Sequence, residues 1–61
     1  MINMDKLLKM AQEKDASDIH LIYGLKPMLR IARDLIPVEE EEELTEEDLS
    51  EIYDYFIRGN L

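Results

Sequence analysis

The sequence predicts a small α+β fold in which a helix, a three-stranded antiparallel sheet and a second helix follow one another. Three observations predict it. Apolar residues repeat with helical spacing near both ends of the chain, they alternate with polar residues in steps of two from residue 18 onward, and Gly24 and Pro27 separate two such segments. A chain of 61 residues is expected to form a single small domain, with both helices against one face of the sheet.

The first helix is predicted over residues 4–14. Asn3 can cap its N-terminus with a side-chain oxygen, and the segment Lys14-Asp15-Ala16-Ser17 ends the helical pattern. The apolar positions repeat at i, i+3, i+4 and i+7, and they are Met4, Leu7, Leu8 and Ala11. This spacing places all four on one side of the helix, which is therefore predicted to face the core.

Two strands, at residues 18–23 and 28–32, are predicted to form a hairpin. Gly24 can adopt a positive φ in the connection, and Pro27 can begin a strand without donating to the hydrogen-bond ladder. The alternation assigns the core face to Ile19, Leu21, Tyr23, Leu29 and Ile31. It assigns the opposite face to Asp18, His20, Ile22, Met28, Arg30 and Ala32.

A third strand is predicted at residues 35–38. Ala32 and Arg33 precede it, and neither residue type favours the positive φ of a tight two-residue turn, so a looser connection is expected there. Pro37 has no N–H group and therefore predicts that this strand lies at the edge of the sheet or ends at that residue.

Residues 39–43 are five consecutive glutamates, and their mutual repulsion predicts a solvated link. Consecutive carboxylates on an extended chain point to alternating sides, which is poor geometry for binding one cation, so no metal ligand is expected among them.

The second helix is predicted over residues 46–58. Thr45 and Asp48 match a capping box, and Leu44 and Leu49 match the hydrophobic staple that accompanies it. Residues at helical spacing predict a core stripe of Leu49, Ile52, Tyr53 and Phe56. Tyr55 is expected to be more exposed than Tyr53.

The charge of the chain is distributed unevenly. The formal net charge is −8, and residues 39–61 contain ten acidic side chains and one basic side chain. A negative chain without a basic stripe disfavours binding to nucleic acid. The absence of cysteine excludes disulfides. Because the sequence has no long apolar run, no signal peptide and no membrane-spanning helix are predicted, and a cytoplasmic location is expected.

Three residues of the exposed strand face are candidates for an interface, namely His20, Met28 and Arg30. His20 lacks a serine, cysteine or second histidine placed as a catalytic partner, which favours a structural role. Arg30 either anchors a contact with a neighbouring subunit or pairs with Asp18 or Asp34 as an exposed strand residue. No catalytic or cofactor-binding residue is predicted.

Several segments together resemble the beginning of the twitching-motility ATPase family PilT, the retraction motors of type IV pili, which are similar to pilus-assembly and type II secretion ATPases. The resemblance covers roughly residues 4–58. Its segments are Ala16-Ser17-Asp18-Ile19-His20-Leu21, Gly24, Pro27-Met28-Leu29-Arg30-Ile31, Asp34-Leu35-Ile36-Pro37 and Leu44-Thr45-Glu46-Glu47-Asp48.

This resemblance implies that the chain is the first part of a PAS-like N-terminal domain and is therefore truncated. In the family, this domain packs beside a RecA-like ATPase core in a hexameric ring. In that family the N-terminal domain contacts the core of the same or a neighbouring subunit, and arginines late in the domain approach the nucleotide. ATP and Mg²⁺ belong to the ATPase core, and the phosphate-binding loop Gly-x-x-x-x-Gly-Lys-Ser/Thr does not occur in these 61 residues. The chain is therefore not expected to be an enzyme on its own.

The chain departs from the family pattern at two places. Ala32-Arg33 stands where the family usually has a turn that contains glycine, and the five-glutamate link is longer and more acidic than the corresponding link. The resemblance implies that later strands of the domain pair with this sheet. Without them the sheet is expected to have an open edge, which could self-associate or bind a partner. Contact with a membrane is expected only indirectly, through the pilus machinery.

Three functions remain from the sequence. One is a subunit-contact and nucleotide-clamping module of a hexameric pilus-retraction or secretion ATPase. The alternative is an autonomous acidic module that binds a basic partner through residues 39–61. A small enzyme is the least favoured class because no nucleophile lies beside a base.

Overall fold

The computed structural model describes residues 2–59. Its elements are α1 (Met4–Glu13), β1 (Asp18–His20), β2 (Met28–Ile31), β3 (Asp34–Pro37) and α2 (Glu46–Gly59). Neighbouring strands are antiparallel and lie in the order β1-β2-β3, so β3 is at an edge and ends at Pro37, as predicted. The predicted α+β class and element order are confirmed.

Helix α1 is closed at both ends by hydrogen bonds. The Asn3 side chain accepts a hydrogen bond from the Lys6 amide at 3.0 Å, which confirms the predicted N-cap. The helix ends at Glu13, one residue earlier than predicted, and Asp15 follows it with a φ of 59°. The Ala16 amide then donates to the Ala11 carbonyl at 2.9 Å, as in a Schellman motif with aspartate at the usual glycine position.

The first strand is shorter than predicted, because it ends at His20 and not at residue 23. Beyond it the chain turns away from the sheet and pairs with a distant segment. The Gly24 amide donates to the Leu44 carbonyl at 2.8 Å, and the Leu44 amide donates to the Leu25 carbonyl at 2.9 Å. Tyr23 is 62% exposed, so its predicted place in the core is wrong.

The β2–β3 connection is a tight turn of two residues, so the predicted loose connection is wrong. Ile31 pairs with Asp34, and only Ala32 and Arg33 lie between them. Their φ angles of 50° and 77° are both positive, as a type I′ hairpin turn requires. Strand pairing on both sides of the turn imposes this backbone on two residues that do not favour it. Strand β2 ends at Ile31, one residue earlier than predicted, and β3 lies one residue earlier than predicted, at Asp34–Pro37.

The core lies between one face of the sheet and the two helices. Leu7 and Leu29 are its most buried large side chains, at 1% and 2% exposure. The other buried apolar residues are Met4, Ala11, Val38, Leu44 and Ile52. Ile19, Ile31 and Leu49 are half-buried and pack against this cluster, as their predicted positions require.

Helix α2 is rotated relative to the prediction. Ile52 is buried, but Tyr53 is 67% exposed and Phe56 is 43% exposed, so their assignment to the core stripe is wrong. Tyr55 faces the core instead, and its hydroxyl donates to the Asp5 carboxylate of α1 at 2.7 Å. This hydrogen bond raises the pKa of Tyr55 and joins α2 to α1 in the observed orientation.

The acidic link is attached to the fold at both ends by the buried residues Val38 and Leu44. Within it, Glu39 accepts a hydrogen bond from the Lys26 ammonium at 3.2 Å. The capping box then begins α2, because the Thr45 hydroxyl accepts from the Asp48 amide at 3.1 Å and the Asp48 carboxylate accepts from the Thr45 amide at 2.9 Å. This backbone hydrogen bond is the main cause of the lowered pKa of Asp48.

Within residues 2–59, neither helix combines the length and the apolar character that crossing a bilayer requires.

Candidate functional site

The candidate site is the sheet face opposite the helices, here called the outer sheet face. Strand register defines its members, since paired residues of antiparallel strands share a face. Asp18 pairs with Arg30 and His20 pairs with Met28 across β1 and β2. Leu35 pairs with Arg30 and Pro37 pairs with Met28 across β2 and β3. The outer sheet face therefore consists of Asp18, His20, Met28, Arg30, Leu35 and Pro37.

All three interface candidates of the sequence lie together on this face. His20 and Met28 are direct cross-strand neighbours, and Arg30 lies two residues from Met28 on the same strand. Each is half-exposed, so it is accessible to a partner while its position is held by its neighbours. Their role in binding stays a prediction.

The Asp18 carboxylate accepts contacts from three side chains. The Ser17 hydroxyl donates to Oδ1 at 2.7 Å, and the Arg30 Nε donates to Oδ2 at 3.4 Å. The His20 Nε2 contacts the same Oδ2 atom. The predicted pairing of Arg30 with Asp18 is thus observed. Arg30 also makes a second hydrogen bond, in which its Nη1 donates to the carbonyl oxygen of Arg33 in the turn at 3.3 Å.

The hydrogen bonds lower the pKa of Asp18. The Ser17 hydroxyl makes the largest contribution, and His20 and Arg30 act in the same direction, whereas partial desolvation opposes them. Asp18 is therefore a carboxylate over the physiological range of pH. As a fixed negative group it orients the His20 ring and the Arg30 guanidinium along the strand surface.

This arrangement positions side chains but does not activate a nucleophile. The Ser17 hydroxyl donates to Asp18 and lies within 3.5 Å of the Arg30 carbonyl oxygen, so the proton of Ser17 is directed to the carboxylate and not to the imidazole of His20. A serine nucleophile needs the reverse geometry, in which histidine accepts the hydroxyl proton.

Sequence reasoning missed two parts of the site. The contribution of Ser17 follows from its place beside Asp18 at the start of β1, where a short hydroxyl side chain can reach its neighbour's carboxylate. Leu35 and Pro37 join the face only because the two-residue turn sets the β2–β3 register. A loose connection between β2 and β3 would leave that register undefined. Because the sequence predicted such a connection, Leu35 and Pro37 could not be assigned to the face.

Acidic residues do not form a metal centre in the described part of the chain. Among residues 2–59, no three histidine, aspartate or glutamate side chains converge as metal ligands would. The glutamates of residues 39–43 are largely exposed to solvent.

Comparison of the chain with family models, with curated proteins and with solved structures gave no match.

Proposed function

We propose that this chain is a subunit-contact module of a hexameric pilus-retraction or secretion ATPase of the PilT type. In this proposal the outer sheet face lies against the ATPase core of the same or a neighbouring subunit. By fixing the distance between cores, the module helps to clamp the nucleotide that the core binds. The chain is then a cytoplasmic protein that performs no catalysis itself.

The observation that supports the proposal most strongly is that His20, Met28 and Arg30 form one continuous surface on the sheet. Arginine is enriched among the residues that dominate protein interfaces, and methionine adapts to irregular partner surfaces. Apolar Leu35, which is 41% exposed, extends the same surface beyond Arg30. A mixture of apolar area and oriented polar groups is typical of contacts between protein subunits.

The element order supports the proposal in a second, weaker way. The resemblance implies the first part of a PAS-like domain, for which the sequence predicts a helix, three strands and a helix, and this chain has that element order. Folds are shared by unrelated functions, so the order supports the proposal only together with the residues of the outer sheet face.

The test is binding of the whole chain to a purified PilT-type ATPase core that lacks its own N-terminal domain. Arg30→Ala and Met28→Ser should each weaken binding in calorimetry by about tenfold, as truncation of a residue that dominates an interface does. Lys9→Ala is the matched control, since Lys9 is an exposed residue of α1. Equal affinities for all three variants and the unchanged chain would refute the proposed contact.

A further inference from the structure

Helix α2 presents an apolar stripe to solvent, formed by Tyr53, Phe56 and Ile57 and here called the α2 stripe. These side chains are 67%, 43% and 52% exposed. Positions three and four residues apart are neighbours on a helix surface, so the three form one patch. The Phe56 ring also meets the Tyr55 ring edge to face at 5.4 Å, which holds it at the border between the patch and the core.

The stripe faces outward because contacts on the other side of α2 determine its orientation. Ile52 is 6% exposed in the core, and the Tyr55 hydroxyl is hydrogen-bonded to Asp5. At 100° per residue, Tyr53 and Ile57 lie on the side of the helix away from both contacts. Turning the stripe inward would break the α1–α2 hydrogen bond and expose Ile52.

Acidic residues lie along one side of the stripe. Helix α2 contains Glu46, Glu47, Asp48, Glu51 and Asp54, whereas Arg58 is its single basic residue. Glu47 and Asp54 are exposed and share the flank of the stripe that faces away from the core, and Arg58 follows Asp54 by one turn on that flank. A second copy of the chain would bring two such acidic helices together, and like charges at close range oppose that pairing. The charge pattern fits an occupant with one basic flank.

We propose that the α2 stripe binds an amphipathic helix of another protein, which has apolar residues on one face and lysine or arginine along one flank. The apolar face covers Tyr53, Phe56 and Ile57, while the basic flank lies near Glu47 and Asp54. Docking of one amphipathic helix on an apolar surface is a common mode of peptide recognition. The α2 stripe is separate from the outer sheet face, so either surface can bind without the other.

A synthetic peptide with leucines on one helical face and lysines along one flank of it tests this inference. The full chain is titrated into the labelled peptide, and the fluorescence anisotropy is recorded. The double variant Tyr53→Ser/Ile57→Ser should bind about tenfold more weakly because two central apolar contacts are lost. Ile22→Ser is the matched control, since Ile22 is 46% exposed in a loop outside α2, and it should bind unchanged. Circular dichroism verifies that each variant is folded.

A scrambled peptide of the same composition separates docking from general charge attraction. The scrambled peptide should bind at least about tenfold more weakly than the amphipathic one, since it cannot present an apolar face. Equal binding of the two peptides, or equal binding by the double variant and the unchanged chain, would overturn the proposal. Sedimentation of the chain alone gives a second way to overturn it. If the unchanged chain is a dimer and the double variant Tyr53→Ser/Ile57→Ser is a monomer, a second copy of the chain occupies the stripe.

Discussion

Asp18 is the residue on which the polar part of the outer sheet face depends. Its pKa is lowered from the ordinary value of 3.8, chiefly by the Ser17 hydroxyl. Because the folded-state pKa is the lower one, the stabilisation by Asp18 is present above the unfolded-state pKa. It is lost as the pH falls through the folded-state pKa.

Replacing this carboxylate should flatten the acid dependence of stability. We expect Asp18→Asn to lower stability at neutral pH and to lose less stability than the unchanged chain on going to acidic pH. Ser17→Ala removes the largest single cause of the lowered pKa and should give an intermediate profile. Urea unfolding at a series of acidic pH values measures this, and identical slopes for Asp18→Asn and the unchanged chain would be inconsistent with the proposed role.

Arg33 is the residue at which the backbone is most unfavourable, since its φ is 77°. Glycine adopts this conformation without the steric cost that a side chain incurs, so Arg33→Gly should stabilise the fold by about 1 kcal/mol. The hydrogen bond from Arg30 is kept, because its acceptor is the main-chain carbonyl of residue 33. Arg33→Ala is the control, since it removes the same side chain but retains the steric cost. Chemical denaturation should place only the glycine variant above the unchanged chain.

At the scale of elements, the start of α2 depends on one reciprocal pair of hydrogen bonds between Thr45 and Asp48. Thr45→Ala leaves the Asp48 amide without its side-chain acceptor and should destabilise the chain by about 1 kcal/mol. Thr45→Ser keeps a hydroxyl at the cap and should cost much less. Thermal unfolding of both variants and of the unchanged chain tests this. If Thr45→Ala melts at the same temperature as the unchanged chain, the cap contributes little to stability.

The outer edge of β3 is protected by Pro37. Hydrogen bonding between antiparallel strands alternates, and the Val38 amide donates to the Pro27 carbonyl at 2.8 Å just beyond the Met28–Pro37 pair. The backbone groups of Leu35 and Pro37 therefore point away from β2, and proline offers no donor there. Pro37 thus removes one of the donors that strand addition at this edge would use.

Restoring a donor at this edge should favour strand addition. We expect Pro37→Val to increase self-association with rising protein concentration in sedimentation velocity experiments. Ile36→Val is the control, because the backbone groups of residue 36 already bond to β2 in this register. If both variants sediment like the unchanged chain, Pro37 is not what protects the edge.

At the scale of the whole molecule, the class and the element order could be predicted because they follow from local patterns, such as the Asn3 cap and the Thr45 capping box. The rotation of α2 could not be predicted, because the contacts that accompany it join residues far apart in the chain, such as Tyr55 and Asp5, which are 50 residues apart. The β2–β3 register was hidden for a related reason, since strand pairing overrides the local preference of Ala32 and Arg33.

The candidate surfaces likewise include parts that local patterns predict and parts that depend on contacts between distant residues. Alternation along β1 and β2 sufficed to place His20, Met28 and Arg30 on one face, whereas the partnership of Arg30 with Asp18 required the strand register. The α2 stripe was hidden because apolar spacing alone cannot distinguish a side that faces the core from one that faces a partner.

In the proposed function, the outer sheet face contacts an ATPase core. Titration of the isotope-labelled chain with a PilT-type core, followed through backbone amide shifts, tests it residue by residue. We predict that His20, Met28 and Arg30 shift more than the residues of the α2 stripe. Unchanged amide positions throughout β1 and β2 at a saturating concentration of the core would contradict the claim.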